Sequence, residues 1–278
     1  MNDLRSQRGG SDPGTIIGIV LAIIGIAVAY VMEGGNPAAI IIPPPFLLVM
    51  LGTLGATMAA VGLKPCIGIP KMYILAFTSP AIDRPKAIRA LVRMAERARR
   101  EGLLALEEEA QTVDDPFIQK GVRLVVDGTD PELVKDILDL EVESMAGRHH
   151  HMANAFQQAG GFAPTVGIIG TILSLVHVLG HLDNPDTIGP AIASAFVATL
   201  FGVASANLFF LPVAQKLKAL STEESEAKTM IIEGILSIQA GDNPRIVEEK
   251  LKTFLTPAER AEFSPDGGAD EAGLKAAA

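Results

Sequence analysis

The chain has 278 residues, of which 49% are hydrophobic and only 20% are charged, and its mean hydropathy is +0.34. A chain this apolar is unlike an ordinary soluble protein and indicates a membrane protein. The formal net charge of −9 argues against nucleic acid as a partner, and the single cysteine, Cys66, excludes an intramolecular disulfide and a zinc-binding cysteine cluster.

Four apolar segments are long enough to cross a bilayer, which takes about 20 helical residues. They are approximately Thr15 to Met32, Pro45 to Leu63, Ala163 to His181, and Ile188 to Leu211. The first segment lacks a small-residue cleavage site, so we interpret it as a retained span and not as a signal peptide. The predicted fold class is all-α: a polytopic membrane protein with four transmembrane helices and a helical cytoplasmic domain.

Basic residues set the predicted orientation. All 23 Lys and Arg residues lie before residue 9, between Lys64 and Arg148, or from Lys216 onward. The positive-inside rule then places both termini and the central region in the cytoplasm. The predicted division is a cytoplasmic N-terminus (1–14), a first transmembrane hairpin (15–63), a cytoplasmic helical domain (64–162), a second hairpin (163–211), cytoplasmic C-terminal helices (212–263) and a disordered tail (264–278).

Capping signals mark helices in the polar regions. Gly102 is placed to end a basic helix, and Asp130, followed by proline, to begin a long one that reaches the third span. Glycines at 160 and 161 are expected to loosen its join to that span. The stretch 221–224 fits a capping box before another helix, and a short last helix begins near Pro244.

Small residues recur at helical spacing in every span. Helices in lipid associate by close packing, so such residues mark contact faces. The packing could lie within one subunit, or against other copies or a partner's helix. In the second hairpin the predicted packing residues are Gly167, Gly170, Ala195, Ala198 and Gly202.

The four spans contain no Asp, Glu, Lys or Arg, so this chain alone is a poor ion carrier. Thr171 and Thr199 nevertheless each lie about eleven residues from the outer loop, which places them about 16 Å deep. Each hydroxyl either bonds a carbonyl of its own helix or lines a path whose carboxylate comes from another polypeptide. Pro164 and Pro212 either mark helix ends or act as hinges.

Two groups of polar side chains remain. His177 and His181 are one turn apart near the outer surface, but two ligands are too few for a metal centre, so we expect no metal and no cofactor. The basic helix 89–100 and the acidic residues 107–109 form either a solvated face with local ion pairs or a docking surface for a partner.

Three stretches together resemble the MotA family of flagellar motor stator subunits. They are "AERARREGLLALEEEA", "APTVGIIGTILSLVHVLGHLDNPDTIGPAIASAFVATLFGVASANLFFLPVA" and "MIIEGILSIQAGDNPRIVEEKLKTFL". The resemblance covers residues from about 14 to 262. Three proline residues at Pro43–Pro45 and the run His149–His151 depart from the family pattern.

The resemblance implies a bacterial inner-membrane homopentamer that surrounds the two transmembrane helices of a MotB dimer. MotB supplies the ion-binding aspartate and the peptidoglycan anchor. Influx of H⁺ or Na⁺ turns the pentamer, which drives the rotor protein FliG and so flagellar rotation in motility and chemotaxis.

The matching motifs also imply residue roles. Thr171 and Thr199 fall at ion-pathway positions, and Pro164 and Pro212 fall at the two prolines beside the cytoplasmic end of the path. Arg99 and Glu107 fall at the charged positions that meet the rotor, although Glu108 and Glu109 could substitute for Glu107.

Three other functions compete with the stator. One is an ExbB/TolQ-type ion-driven energiser of cell-envelope proteins, for which three spans and an outward N-terminus are expected. The others are a self-contained channel and a membrane scaffold. No nucleophile with its base, phosphate loop or metal cluster is found, so we do not expect an enzyme.

Overall fold

The structure is a computed structural model that describes residues 13–78, 83–183 and 185–263. Within these ranges the regular secondary structure is entirely helical, which confirms the predicted all-α fold. Residues 1–12 of the predicted N-terminal segment and the predicted tail 264–278 lie outside the described residues.

Eleven α-helices are found in the described residues. The first six are α1 Pro13–Met32, α2 Pro43–Val61, α3 Leu63–Phe77, α4 Arg84–Glu101, α5 Leu106–Gln111 and α6 Pro116–Val126. The others are α7 Pro131–Leu179, α8 Pro185–Ala204, α9 Leu211–Gln239, α10 Pro244–Lys252 and α11 Pro257–Phe263. A π-helical segment, Ser205–Phe210, joins α8 to α9, and short 3₁₀ segments occupy Pro37–Ile40 and Leu103–Ala105.

Four helical stretches are long and apolar enough to cross a membrane, as the sequence predicts. They are Gly14–Met32, Pro43–Val61, Pro131–Leu179 and Pro185–Gln239. No residue of the apolar window in the first stretch is buried, and large apolar side chains on α2, α7 and α8 are also exposed. Exposed apolar faces on helices of this length suit contact with lipid or with other membrane helices.

The chain forms two compact units. The first contains the described residues up to 78, those from 148 to 183, and those from 185 to 221. Its core is made largely of small side chains on α7 and α9, closed by Phe156 and by α3. Residues 64–78 and 148–162 therefore belong to the same compact unit as the apolar helices.

The second unit contains the described residues 83–147 and 222–263. Aliphatic side chains of six helices form its core, including Ile88, Leu91, Ile118, Leu138, Ile235 and Leu251, each at most 1% exposed. Burying side chains of this size stabilises the fold by about 1.5–3 kcal/mol each.

Several helix ends agree with the sequence and two do not. Gly102 caps α4 with a φ of 84°, and the Asp130 carboxylate accepts the backbone N–H of Glu132 at 2.9 Å. However, α7 continues without a break through Gly160, where a Cβ would lie 2.5 Å from a side-chain methyl carbon of Leu211. The expected capping box at 221–224 is wrong, since those residues lie inside α9.

Candidate functional site

The candidate site lies where α7 and α8 approach within backbone contact. A Cβ at Gly167 would lie 2.9 Å from the carbonyl oxygen of Ala198, and one at Gly202 would lie 2.6 Å from that of Ala163. A Cβ at Gly170 would lie 2.8 Å from the Cβ of Ala198. These small residues therefore bring two helices of one chain together, so leucine at Ala198 or Gly202 would disturb packing within the subunit.

Thr171 and Thr199 face each other across this contact. Their hydroxyl oxygens are 2.5 Å apart, and both side chains are half-buried. The Thr171 hydroxyl also lies 3.2 Å from the carbonyl oxygen of Gly167 in its own helix and 3.0 Å from that of Ala195 in α8. The pair thus joins the two helices, in addition to the intrahelical bond that Thr residues commonly make.

The number of hydrogen-bond donors and acceptors in the two hydroxyls shows what the pair can bind. A threonine hydroxyl donates one hydrogen bond and accepts two. When Thr171 donates to a carbonyl, Thr199 donates to Thr171, and lone pairs of the Thr199 oxygen remain unused. The site therefore offers neutral oxygen ligands to a cation, but neither 163–181 nor 188–211 supplies an acid to balance its charge.

The two prolines have different surroundings. Pro164 lies inside α7, whose helix continues on both sides of it. Pro212 lies directly after the π-helical segment Ser205–Phe210, in which the Leu211 N–H donates to the carbonyl of Ala206, five residues earlier. Proline cannot donate to the carbonyl four residues before it, so a widened turn beside Pro212 has a local cause.

The π-helical segment contains polar groups that the sequence argument did not single out. Asn207 is exposed and donates its side-chain N–H to the carbonyl of Val203 at 2.9 Å. Ser205 is buried and donates to the carbonyl of Gly202 at 3.1 Å. An amide within an otherwise apolar stretch close to a proline is the signal that could have drawn attention to this turn.

Helix α2 carries two buried threonines that also escaped the sequence argument. The Thr57 hydroxyl donates to the carbonyl of Thr53 at 2.7 Å. The Thr53 hydroxyl is fully buried and has no hydrogen-bond partner among residues 13–78, 83–183 and 185–263. A buried hydroxyl without a partner is destabilising by about 1–3 kcal/mol.

A charged cluster lies in the second compact unit. The Arg97 guanidinium bonds the carboxylates of Glu108 and Glu109 at 3.0 Å and of Glu101 at 3.2 Å. Hydrogen bonds to Glu109, then to Glu101 and Glu108, raise the pKa of Arg97 above its ordinary value. The cluster ties the end of α4 to α5.

Arg99 and Glu107, the predicted rotor-contacting residues, flank this cluster. Both are exposed, and within the described residues neither makes an ion pair. The structure thus distinguishes Glu107 from Glu108 and Glu109, because the latter two are held by Arg97. Two exposed positions with unpaired charge in the described residues suit contact with a charged surface.

Potential metal ligands do not cluster in the described part of the chain. No group of three or more His, Cys, Asp or Glu side chains that could hold a metal ion occurs among residues 13–78, 83–183 and 185–263. His177 and His181 form only a pair, with ring centroids 4.4 Å apart, and the run His149–His151 lies within α7.

Comparison with known families gives one match in the part of the chain that holds the site. Residues 109–230 match the model of the MotA/TolQ/ExbB proton channel family. Motility protein A of Borreliella burgdorferi is 42% identical over 223 residues, which is 80% of this chain and 86% of that protein.

Two solved structures resemble the chain over most of its length. The structure of C. jejuni MotAB matches with a TM-score of 0.84 and 32% identity, over 88% of this chain and 96% of that one. The flagellar MotAB stator complex from Bacillus subtilis matches with a TM-score of 0.83 and 37% identity, over 90% and 99% respectively. The similarity therefore extends through both compact units.

Proposed function

Because the chain belongs to the MotA/TolQ/ExbB proton channel family, as an ion-conducting stator subunit of the flagellar motor, we propose that Thr171 and Thr199 line its ion path. The observation that carries the proposal is the direct contact between their hydroxyls at the crossing of α7 and α8. Residues 163–181 and 188–211 contain no Asp, Glu, Lys or Arg, so hydroxyl oxygens are the polar groups that a permeating cation can meet there.

The site needs an acid from another chain. No carboxylate lies in the apolar segments, and a cation in the membrane requires a compensating charge. Both solved relatives are complexes with a second protein, MotB. We infer that a MotB-type partner places an aspartate beside the hydroxyl pair and anchors the complex to peptidoglycan.

Several copies of the chain surround that partner in the proposed complex. The apolar faces of α1, α2, α7 and α8 are exposed in the single subunit, which gives ample surface for neighbours as well as for lipid. A ring of five copies with both termini in the cytoplasm is the arrangement that the family resemblance implies. One elementary charge that crosses 100 mV releases about 2.3 kcal/mol, enough to bias rotation between equivalent positions of such a ring.

The exposed charges that flank the charged cluster are the proposed contact with the rotor. Arg99 and Glu107 are exposed and carry opposite charges, so they can pair with complementary residues of a FliG-type protein. Replacing Arg99 with Glu should stop rotation, and a reversed charge on the rotor should restore it. Failure of every charge-reversed rotor to restore motion would remove Arg99 from the contact.

Pro164 and Pro212 are proposed to allow bending when the ion binds and leaves. The π-helical turn before Pro212 supports this role, because such turns in helices frequently occur at functional sites. We therefore expect the helix to change shape between Ser205 and Pro212.

An ExbB/TolQ-type energiser is the second candidate, since it belongs to the same broad family. Four candidate spans and the similarity to motility protein A favour the stator. If the chain were an energiser, it would restore envelope transport in a strain that lacks its own energiser.

The decisive experiment has two parts. First, ion flux is measured in liposomes with this chain alone and with its MotB-type partner. Flux only with the partner supports the shared site, whereas equal flux without it contradicts the proposal. Second, swimming speed is followed against external sodium at constant pH, with a protonophore and a sodium-channel blocker as controls, which distinguishes H⁺ from Na⁺.

A further inference from the structure

The histidine pair at the C-terminal end of α7 has a geometry that the sequence spacing alone does not reveal. His177 is in the last turn of α7, and His181 follows directly after the helix end. Both side chains are exposed, and their ring centroids are 4.4 Å apart with an angle of 38° between the ring planes. Two imidazoles are therefore held side by side on one face.

A backbone hydrogen bond fixes the tautomer of one ring. The Nδ1 atom of His181 lies 2.9 Å from the carbonyl oxygen of His177. A carbonyl oxygen only accepts hydrogen bonds, so Nδ1 carries the proton and the neutral ring has its lone pair on Nε2. A ring nitrogen that donates to a backbone carbonyl is the usual arrangement behind a metal-bound histidine, because it orients the other nitrogen.

The spacing also suits chelation. Histidines four residues apart in a helix lie on the same side, as two zinc-binding histidines do in metalloprotease helices. Here His181 lies just beyond the helix end, and the separation of 4.4 Å between the ring centroids shows that the two rings are still side by side. Imidazole binds Zn²⁺ and Cu²⁺ well, and water can complete the coordination where the protein supplies only two ligands. Two ligands do not make a permanent metal centre, but they do make an exposed chelating pair.

The local charge favours a cation. The stretch 180–187, which contains His181, holds two acids, Asp183 and Asp186, and no Lys or Arg. A region with one sign of charge raises the local concentration of the opposite ion. His177 is also six residues beyond Thr171 on the same helix, a separation of about 9 Å along the axis.

We propose that Nε2 of His181 and a ring nitrogen of His177 bind one divalent transition-metal ion from outside the cell, such as Zn²⁺, and that the bound ion slows cation entry. The binding itself is independent of the stator function. Its effect on entry rests on the proposed ion path through Thr171 and Thr199, because a fixed double positive charge about 9 Å from that pair repels a second cation.

Binding is tested with the purified full-length complex and its partner, by competition of Zn²⁺ against a chromophoric indicator and by electron paramagnetic resonance of added Cu²⁺. We expect the unmodified complex to bind one ion per subunit through two nitrogens. His177→Gln and His181→Gln should each weaken Zn²⁺ binding at least about tenfold, which is about 1.4 kcal/mol, and should leave one nitrogen on Cu²⁺. The control is the double variant His150→Gln, His151→Gln, which changes two exposed histidines elsewhere on α7 and should bind as before.

Zn²⁺ binding that is unchanged in both pair variants, or lost equally in the control, would overturn the site. Swimming is then measured with external Zn²⁺ in strains that carry each variant. Slowing of the unmodified strain that disappears in His177→Gln and His181→Gln supports the effect on entry. If Zn²⁺ binds but swimming does not slow, the proposed effect on cation entry is wrong and the binding site stands. If the complex conducts no ions even without Zn²⁺, the result instead counts against the ion path.

Discussion

Gly167 and Gly202 meet backbone to backbone. A Cβ at Gly202 would lie 3.0 Å from the Cα of Gly167 and 2.6 Å from the carbonyl oxygen of Ala163. Backbone atoms cannot move aside as a flexible side chain can, so the contact admits only glycine. The crossing that brings Thr171 to Thr199 therefore depends on these two positions.

The first prediction concerns this crossing. Gly202→Ala should destabilise the complex by about 1–3 kcal/mol, because the added methyl group forces α7 and α8 apart. Thermal unfolding in detergent measures the loss. Gly189→Ala in the same helix is the control, since a Cβ there meets no atom within 4 Å. Equal melting temperatures for the two variants would contradict the close contact.

The second prediction concerns the hydroxyl pair. Thr199→Val keeps the shape of the side chain and removes its oxygen, so ion flux should fall at least about tenfold, equivalent to about 1.4 kcal/mol of barrier. Thr57→Val is the matched control, because it removes a hydroxyl that bonds only its own helix. Flux in liposomes with the partner protein is the measurement. Normal flux through the Thr199 variant would exclude this residue from the path.

The third prediction concerns the unpartnered hydroxyl of α2. Thr53→Val should leave stability unchanged or raise it by about 1 kcal/mol, because it removes a buried polar group that has no partner. Thr57→Val, four residues along the same helix, should instead lower stability, since its hydroxyl is bonded. The two melting temperatures should differ in this order, and the reverse order would indicate that Thr53 has a partner in the assembled complex.

The fourth prediction concerns Arg97. Arg97→Gln removes a cation that three carboxylates share, so α5 and the 3₁₀ segment before it should become more mobile and Glu107 should lose its fixed position. Hydrogen exchange of residues 103–112 measures this, and swimming torque should fall with it. Arg93→Gln is the control, because Arg93 makes only one contact with Glu109, at 3.8 Å. The same exchange rates in both variants would show that Arg97 does not hold the segment.

The fifth prediction is a pH dependence at α11. Glu259 accepts hydrogen bonds from the backbone N–H and the hydroxyl of Thr256, both at 2.8 Å, and the backbone bond in particular lowers the pKa of its carboxyl. A lowered pKa in the folded state means that the stabilisation is complete above the ordinary value of about 4.3 and is lost as the pH falls through the folded value. Hydrogen exchange in α11 should therefore quicken in acid. Glu259→Gln should exchange at rates that no longer depend on this titration, and a retained dependence would point to another group.

The sequence predicts the long apolar helices well because membrane spans are set by one strong requirement, the satisfaction of backbone groups in lipid. The capping prediction at Asp130 also holds, because the cap is a local contact over two residues. The prediction at 221–224 fails for the converse reason. The motif is compatible with a helix start, but residues on either side continue α9 without interruption.

The candidate site is only partly visible in the sequence. Matched depth in two spans brings Thr171 and Thr199 to attention, yet the contact between them depends on how α7 and α8 cross, which spacing does not specify. In the same way, the acidic run 107–109 does not reveal which glutamates are paired. Arg97, ten residues before Glu107, binds Glu108 and Glu109, although Glu108 stays exposed.

The widened turn at Ser205–Phe210 has a consequence for how this stretch tolerates change. A π-turn accommodates one additional residue, and each residue of an α-helix advances the rotation by about 100°. Deleting a single amino acid here would return the turn to ordinary α-helix and leave Val213, Ala214 and Leu217 facing the interior they now fill, whereas a deletion in the regular helix on either side would rotate them by about 100°. The widened turn therefore absorbs a change of length that a regular helix would pass on to the residues after it.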